Sequence, residues 1–267
     1  MSSFTLDRYV PRSSPIHSAE PRLKLVLVVA FTLSISLLPV ASFLALAVAL
    51  AALTTLSVVA RLGPVRLARG AFVALPFLFA AFPLIFTKTG DPLGDIDLGL
   101  FTLTVSGEGL RLFATIAFKS WVSVQAALLL TFTTPFPEIV EALRRLRVPK
   151  LMVAIISFMY RYLAVLTDEA SRMMRARSAR SASTNGRAGG SIRWRAKVVG
   201  GMVGSLFLRA YERSERIYAA MQSRGFTGEL RFLDTRTFVG RDWAVLSTTA
   251  ALLLAFELSA HLWMPHA

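Results

Sequence analysis

The sequence predicts an all-α protein that crosses a membrane several times and holds two long helices on one side of it. Three observations lead there. No charged residue occurs in the 36 positions from Leu25 to Ala60. The chain is 54% hydrophobic yet carries a net charge of +14, a pairing that soluble domains of this size rarely show. Finally, 20 of the 30 lysines and arginines fall between residues 134 and 241, so the apolar and the basic parts are separate stretches of chain.

The elements follow in order. Residues 1–24 are polar, with Arg8, Arg12, Arg22 and Lys24 ahead of the first apolar run. They lack the pattern of a cleaved signal, which predicts a retained first span with its N-terminus in the cytosol. A hydrocarbon core of about 30 Å needs about 20 helical residues, so the run 25–60 accommodates two tightly turned spans, broken near Pro39. Residues 70–87 form a third span. Its prolines, Pro76 and Pro83, are tolerable in lipid where neighbouring helices re-satisfy the backbone. Gly90-Asp91-Pro92 and the alternating DLGLFTLTV run after it read as a short hairpin outside the membrane. Residues 109–133 form the fourth span and 243–262 the last. Segment 151–166, short and interrupted by Arg161, is read as a helix in or under the interface.

Basic residues set the orientation. Arg61, Arg66 and Arg69 place the second connection inside, and the loop holding Lys88 with Asp91, Asp95 and Asp97 falls outside. The basic stretch 134–241 is then cytosolic, giving five spans, N-terminus in and C-terminus out. The expected division is a transmembrane bundle of 1–133 and 241–267, with coupling helices on the cytosolic face at 134–240.

Within that stretch, Thr134-Pro135 reads as a cap and a helix-starting proline. The short helix behind it has Ile139, Leu143 and Leu146 on one side and Arg144, Arg145 and Arg147 displaced from them, as suits a membrane surface. Pro149 ends it. A second helix runs from Leu151 to Arg180, where Asp168 and Glu169 precede Arg172 at ion-pairing distances along the helix. Residues 181–191 (SASTNGRAGGS) read as a flexible linker. A third helix, 192–224, carries Gly200 and Gly204 on one face, small enough to let another helix cross closely. Gly225 stops it.

The search for chemistry is mostly negative. The sequence has no phosphate-binding G-x-x-x-x-G-K-[ST] loop, no H-E-x-x-H and no G-x-S-x-G, which argues against a nucleotide hydrolase, zinc protease or serine hydrolase. Cysteine is absent and the histidines are His17, His261 and His266 alone, so a metal or catalytic centre supplied by this chain is not expected. The acidic outer loop reads as solvated. Nucleic acid is not an expected partner, because topology already accounts for the positive charge. Arg111 is placed to snorkel from one end of the fourth span. Lys119 lies about ten residues in, where a charge usually faces a partner. A membrane enzyme acting on lipid phosphates through Lys119 is a rival reading, opposed by the lack of any clustered acid–base set.

Two tripeptides end the two long helices: Ala176-Arg177-Ser178 and Ser223-Arg224-Gly225. A glycine C-cap and a cation at the negative end of a helix dipole account for part of this. A cytosolic arm of about a hundred residues ending in guanidinium groups points further, to docking on a protein partner.

At these residues the chain resembles the transmembrane (T) component of energy-coupling-factor transporters, in the cobalt/nickel branch often called CbiQ. The resemblance covers nearly the whole length. It is carried by Ser14-Pro15-Ile16-His17-Ser18 with Pro21-Arg22-Leu23-Lys24, by Phe158-Met159-Tyr160-Arg161-Tyr162 with Asp168-Glu169 and Arg172–Arg177, and by Phe207-Leu208-Arg209, Glu212-Arg213 and Ala220–Phe226. The resemblance implies that two crossed coupling helices end in Ala-Arg-Gly-like motifs, each arginine seated on one of two cytosolic ABC ATPase subunits. Arg177 and Arg224 then take those roles, with Ala176, Ser178, Ser223 and Gly225 around them. Ser178 stands for the first motif's glycine and Ser223 for the second's alanine. It further implies a multi-pass protein of the bacterial inner membrane with no cofactor of its own. ATP and magnesium would sit on the ATPases, and cobalt or nickel on a separate substrate-binding membrane subunit. A small accessory membrane subunit, and a vitamin such as biotin in place of the metal, remain open alternatives at this point.

Overall fold

A computed structural model describes residues 7–87, 92–97, 102–180, 191–228 and 240–263. The expected linker lies outside the described residues except for Ser191, as do Gly90, Asp91 and His266. The elements are α1 (Pro15–Ser18), α2 (Pro21–Leu37), α3 (Phe43–Val59), α4 (Pro64–Gly70), a 3₁₀ turn at Ala71–Ala74, α5 (Leu75–Ala81), α6 (Leu84–Thr87), β1 (Pro92–Asp97), β2 (Thr102–Ser106), α7 (Gly107–Thr133), α8 (Phe136–Arg145), α9 (Lys150–Arg180), α10 (Ile192–Ser223) and α11 (Gly240–Trp263). The all-α expectation holds, with one antiparallel hairpin, β1–β2, where the alternating run predicts it. Four described stretches are long and apolar enough to cross a membrane: Pro64–Thr87, Gly107–Thr133, Lys150–Arg180 and Gly240–Leu262. Phe43–Val59 is a shorter apolar helix, and α2 is of the same length. The protein is a polytopic membrane protein. Segment 151–166, read from the sequence as interfacial, belongs to a helix that qualifies by length and composition.

The described residues divide into two compact units: those from 7 to 142 with those from 240 to 263, and those from 143 to 228. The first is built around α7, which packs against α2, α3, α4, α5 and α6. Its centre is Ile35, Leu38, Leu46, Leu53, Leu67, Val122, Leu129 and Phe132. In lipid, leaving hydrocarbon for protein gains little hydrophobic free energy, so fit and polar contacts decide such packing. Phe77 and Phe79, 68% and 77% exposed, point away from the described residues as lipid-facing side chains do. Glycine permits two close approaches. A Cβ at Gly109 would stand 2.7 Å from the Leu84 carbonyl oxygen and 2.8 Å from that of Ile85, and one at Gly70 would stand 2.7 Å from Leu128 Cδ1.

The third apolar stretch differs from the single span at 70–87. It starts at Pro64 and is broken into short helical segments. The prolines explain where. Pro76 and Pro83 have no N–H to give to Phe72 and Phe79, four residues earlier. Instead the Phe72 carbonyl accepts from Leu75 N–H, and Phe79 accepts from Phe82 N–H at 3.3 Å. Each lost bond is replaced by a tighter i→i+3 bond, which keeps the carbonyls satisfied at the cost of helix continuity.

Helices α2 and α7 are antiparallel and tie each other's ends. Lys24 Nζ donates to the carbonyl of Thr133, the last residue of α7, at 3.2 Å, and to that of His17 at 3.3 Å. At the other end Lys119 Nζ, on α7, donates to the carbonyls of Leu38 at 2.6 Å and Ser36 at 3.1 Å, where α2 stops. One turn away, Thr115 Oγ1 accepts from Ala41 N–H at 3.0 Å. Ala41 has φ 65°, so this bond holds a left-handed turn that alanine seldom adopts. The charge that the sequence marks as functional is therefore a helix cap. An ammonium at a helix C-terminus meets both the orphan carbonyls and the negative end of the dipole.

The segment ahead of α2 is strapped to the same region. Val10 N–H donates to Phe132 O at 3.1 Å, and Asp7 Oδ2 accepts from Phe136 N–H at 3.0 Å, capping α8 from 129 residues away. His17 Nε2–H donates to Val10 O at 3.1 Å, so Nδ1 is left to accept from the Ser14 hydroxyl at 2.7 Å. Burial lowers the His17 pKa below its ordinary value, aided by nearby Lys24 and Arg12 and opposed by the Val10 hydrogen bond. The imidazole is neutral at pH 7.

Candidate functional site: the α9–α10 pair

Helix α9 begins apolar and ends in a run of arginines; α10 returns antiparallel to it. Their pairing is fixed by two contacts. Glu169 Oε1 accepts from Arg209 Nη1 at 3.0 Å, while its Oε2 accepts from Arg172 on the same helix. Nearer the apolar end, the rings of Phe158 and Phe226 meet edge to face at 6.3 Å. The Arg172 hydrogen bond, seconded by Arg209, holds the Glu169 carboxyl below the usual carboxylate range. The i,i+3 pairing expected of Glu169 and Arg172 is present, and the reach of Glu169 across to α10 is what the sequence left unseen.

The contacts between the helices run from the Phe158–Phe226 rings to the Glu169–Arg209 pair. Gly200 and Gly204, expected at the crossing, lie before that contact. A Cβ on either would meet nothing within 4 Å among the described residues. Leu206, Arg209 and Ala210 stand at the crossing instead, beside Leu166 and Glu169.

The end of α10 is a Schellman turn. Phe226 N–H donates to Met221 O at 3.0 Å and Gly225 N–H to Gln222 O at 2.9 Å, with Gly225 at φ 78°. That left-handed position is why glycine stands there. The turn folds Phe226 back onto Met221 and Phe158 and leaves Arg224 exposed on its outer corner. Arg177 lies half-buried near the end of α9, between the exposed Ala176 and Ser178. Ser178 Oγ donates to Arg175 O and Ser223 Oγ to Ala220 O. Among the described residues neither Arg177 nor Arg224 has an ion-pair partner.

Counting from the Glu169–Arg209 pair at 1.5 Å per residue, Arg177 lies about 12 Å along α9 and Arg224 about 22 Å along α10. The helices are antiparallel, so these distances run in opposite directions and set the two residues roughly 34 Å apart along the pair. Among the described residues no group of three or more histidines or acidic residues is arranged to hold a metal ion.

The family model "CbiQ: Cobalt transport protein" matches residues 12–233. Among curated relatives, an "Energy-coupling factor transporter transmembrane protein EcfT" of Thermanaerovibrio acidaminovorans is 30% identical, with 95% of this chain and 96% of that protein covered. The protein of the same name from Heliobacterium modesticaldum is 27% identical over the same shares. The "Cobalt transport protein CbiQ" of Rhodobacter capsulatus is 30% identical over 62% of this chain and 67% of its own length.

Proposed function

Because this chain belongs to the CbiQ family of cobalt transport proteins, we propose that it is the transmembrane coupling subunit of an ATP-driven importer of cobalt or nickel ions. The family is one of transporter membrane components, not of enzymes. Two cytosolic ABC ATPases dock on the arginines at the ends of α9 and α10. ATP closes the ATPases on each other, the helix pair carries that closure to the membrane bundle, and a separate substrate-binding membrane subunit releases its ion inside.

The observation that carries this reading is the placement of Arg177 and Arg224. Two guanidinium groups without an ion-pair partner among the described residues, at opposite ends of one antiparallel pair and roughly 34 Å apart along it, suit two separate but equivalent partners better than a single pocket. The Glu169–Arg209 contact between them gives the pair one fixed pivot. Gly200 and Gly204, which meet nothing within 4 Å among the described residues, are small enough for a membrane subunit to lie closely against α10.

Co-purification tests it. Tagged wild-type chain is expected to capture both ATPases, and the Arg177→Glu, Arg224→Glu double variant to lose them. Equal capture by the two would remove these arginines from the contact. Two relatives that cover nearly the whole chain are named for energy coupling without a substrate, which favours one second reading: the same coupling role in a vitamin importer. Uptake of labelled cobalt against labelled biotin, with each candidate substrate subunit co-expressed, separates the two.

A further inference from the structure

We propose that the α9–α10 pair carries a binding site for one anionic phospholipid, its acyl chain in the groove between the helices and its phosphate on Arg213 and Arg216. Two adjoining cavities make the site. The larger, about 510 Å³, is walled by apolar and aromatic side chains that include Leu151, Phe158, Tyr162, Ile217, Tyr218 and Phe226. The smaller, about 190 Å³, contains Arg209, Arg213 and Arg216 with Glu169 and Glu212. Leu166, Ala210 and Arg213 belong to both walls, so the two form one amphipathic channel.

The polarity of the channel has a direction. Its apolar end lies at Leu151 and Phe226 and its basic end at Arg209–Arg216, the order in which a phospholipid presents tail and headgroup. From Leu151 to Leu166 the groove is about 22 Å long. Arg209, Arg213 and Arg216 fall at i, i+4 and i+7 on one face of α10. Arg209 is engaged by Glu169. Among the described residues Arg213 and Arg216 have no ion-pair partner, leaving two guanidinium groups for a phosphate.

The arginines should decide which lipid is held. An acyl chain gains little by leaving the bilayer for an apolar groove, so a neutral phospholipid has no reason to prefer the site. Each guanidinium toward an anionic headgroup adds attraction.

The full chain is purified in neutral detergent and given equal concentrations of phosphatidylglycerol or phosphatidylcholine, and bound lipid is counted by native mass spectrometry. One phosphatidylglycerol per chain is expected at concentrations where phosphatidylcholine leaves no adduct. The Arg213→Gln, Arg216→Gln variant should weaken that binding on the order of thirtyfold with an unchanged circular dichroism spectrum. Ser214→Trp, at an exposed position on the groove wall, should lose the lipid with both arginines in place. Arg193→Gln, Lys197→Gln removes two charges elsewhere on α10 and should change nothing. Equal retention of the two lipids would overturn the proposal, and so would an equal loss in the Arg193, Lys197 variant. Binding that survives Ser214→Trp but is displaced by inorganic phosphate would make this a free-anion site. Crosslinking from Ile217→Cys that captures a membrane protein instead of lipid in native membranes would give the groove to that protein.

Discussion

Replacing Lys119 by methionine keeps the length of the side chain and deletes only its ammonium. Two hydrogen bonds are lost, to the carbonyls of Leu38 and Ser36. A hydrogen bond to a charged group contributes about 1.5–3 kcal/mol, and a cation at a helix C-terminus up to about 2 kcal/mol in partly buried geometry. Against this stands the cost of drawing an ammonium from water, several kcal/mol if it were fully buried. The two carbonyls and the end of the α2 dipole offset most of that cost, so about 1–3 kcal/mol of net stabilisation should disappear in Lys119→Met. Lys119→Arg, which can still reach a carbonyl, should recover about half. The assay is reversible denaturation of the purified chain in mixed micelles, read by helicity. Because the natural chain has no cysteine, a single Val40→Cys probe gives a second reading: maleimide should label it faster once the turn is untied. A Lys119→Met protein as stable as wild type, with unchanged labelling but no transport, would refute the capping account and leave Lys119 as a charge that faces a partner.

Gly109→Ala should cost about 1–3 kcal/mol, because its Cβ would press on backbone carbonyls that cannot rotate away. Gly200→Ala, in open space, should instead stabilise α10 by about 1 kcal/mol or less; thermal midpoints in detergent compare the two. Gly225→Ala forces alanine to φ 78° and should cost about 1 kcal/mol locally. It should raise hydrogen exchange at the end of α10 and weaken ATPase capture at Arg224 while sparing Arg177. For His17 the folded pKa lies below the unfolded one, so the unfolded chain takes up the proton first as pH falls. Its contribution is whole above the unfolded value of about 6.5 and is lost as pH falls through the folded value. Wild type should therefore lose more stability than His17→Asn between pH 7 and 5, measured as the shift in thermal midpoint.

Much of this architecture was legible because its causes are local. The uncharged run 25–60, the proline at its break, the alternating hairpin and the Ser191 and Gly225 boundaries of α10 are each written in a few adjacent residues. That Arg177 and Arg224 fall at the ends of α9 and α10 was legible for the same reason. Two features were not. Lys119 read as a functional charge because the carbonyls it caps are more than eighty residues away, and no periodicity reports such a partner. Gly200 and Gly204 read as a crossing because small residues permit close approach. Permission does not choose a partner, and the Glu169–Arg209 ion pair sets the contact further along α10. The third span shows a milder version: Pro76 and Pro83 announced a disturbance, but only the observed carbonyl bonds reveal four short segments.

The two lysine caps also bear on how the protein is made. Lys24 waits for a carbonyl 109 residues downstream, and the carbonyl of Leu38 waits for a lysine 81 residues downstream. When α2 and α3 first leave the ribosome as a hairpin, neither end of α2 has these partners. Both arrive together on α7. Until that helix enters the membrane, the early hairpin is an inserted but unlatched intermediate, open to capture by insertion factors and membrane proteases. Truncations ending before Lys119 should therefore be degraded faster than those ending after Thr133, out of proportion to the length added.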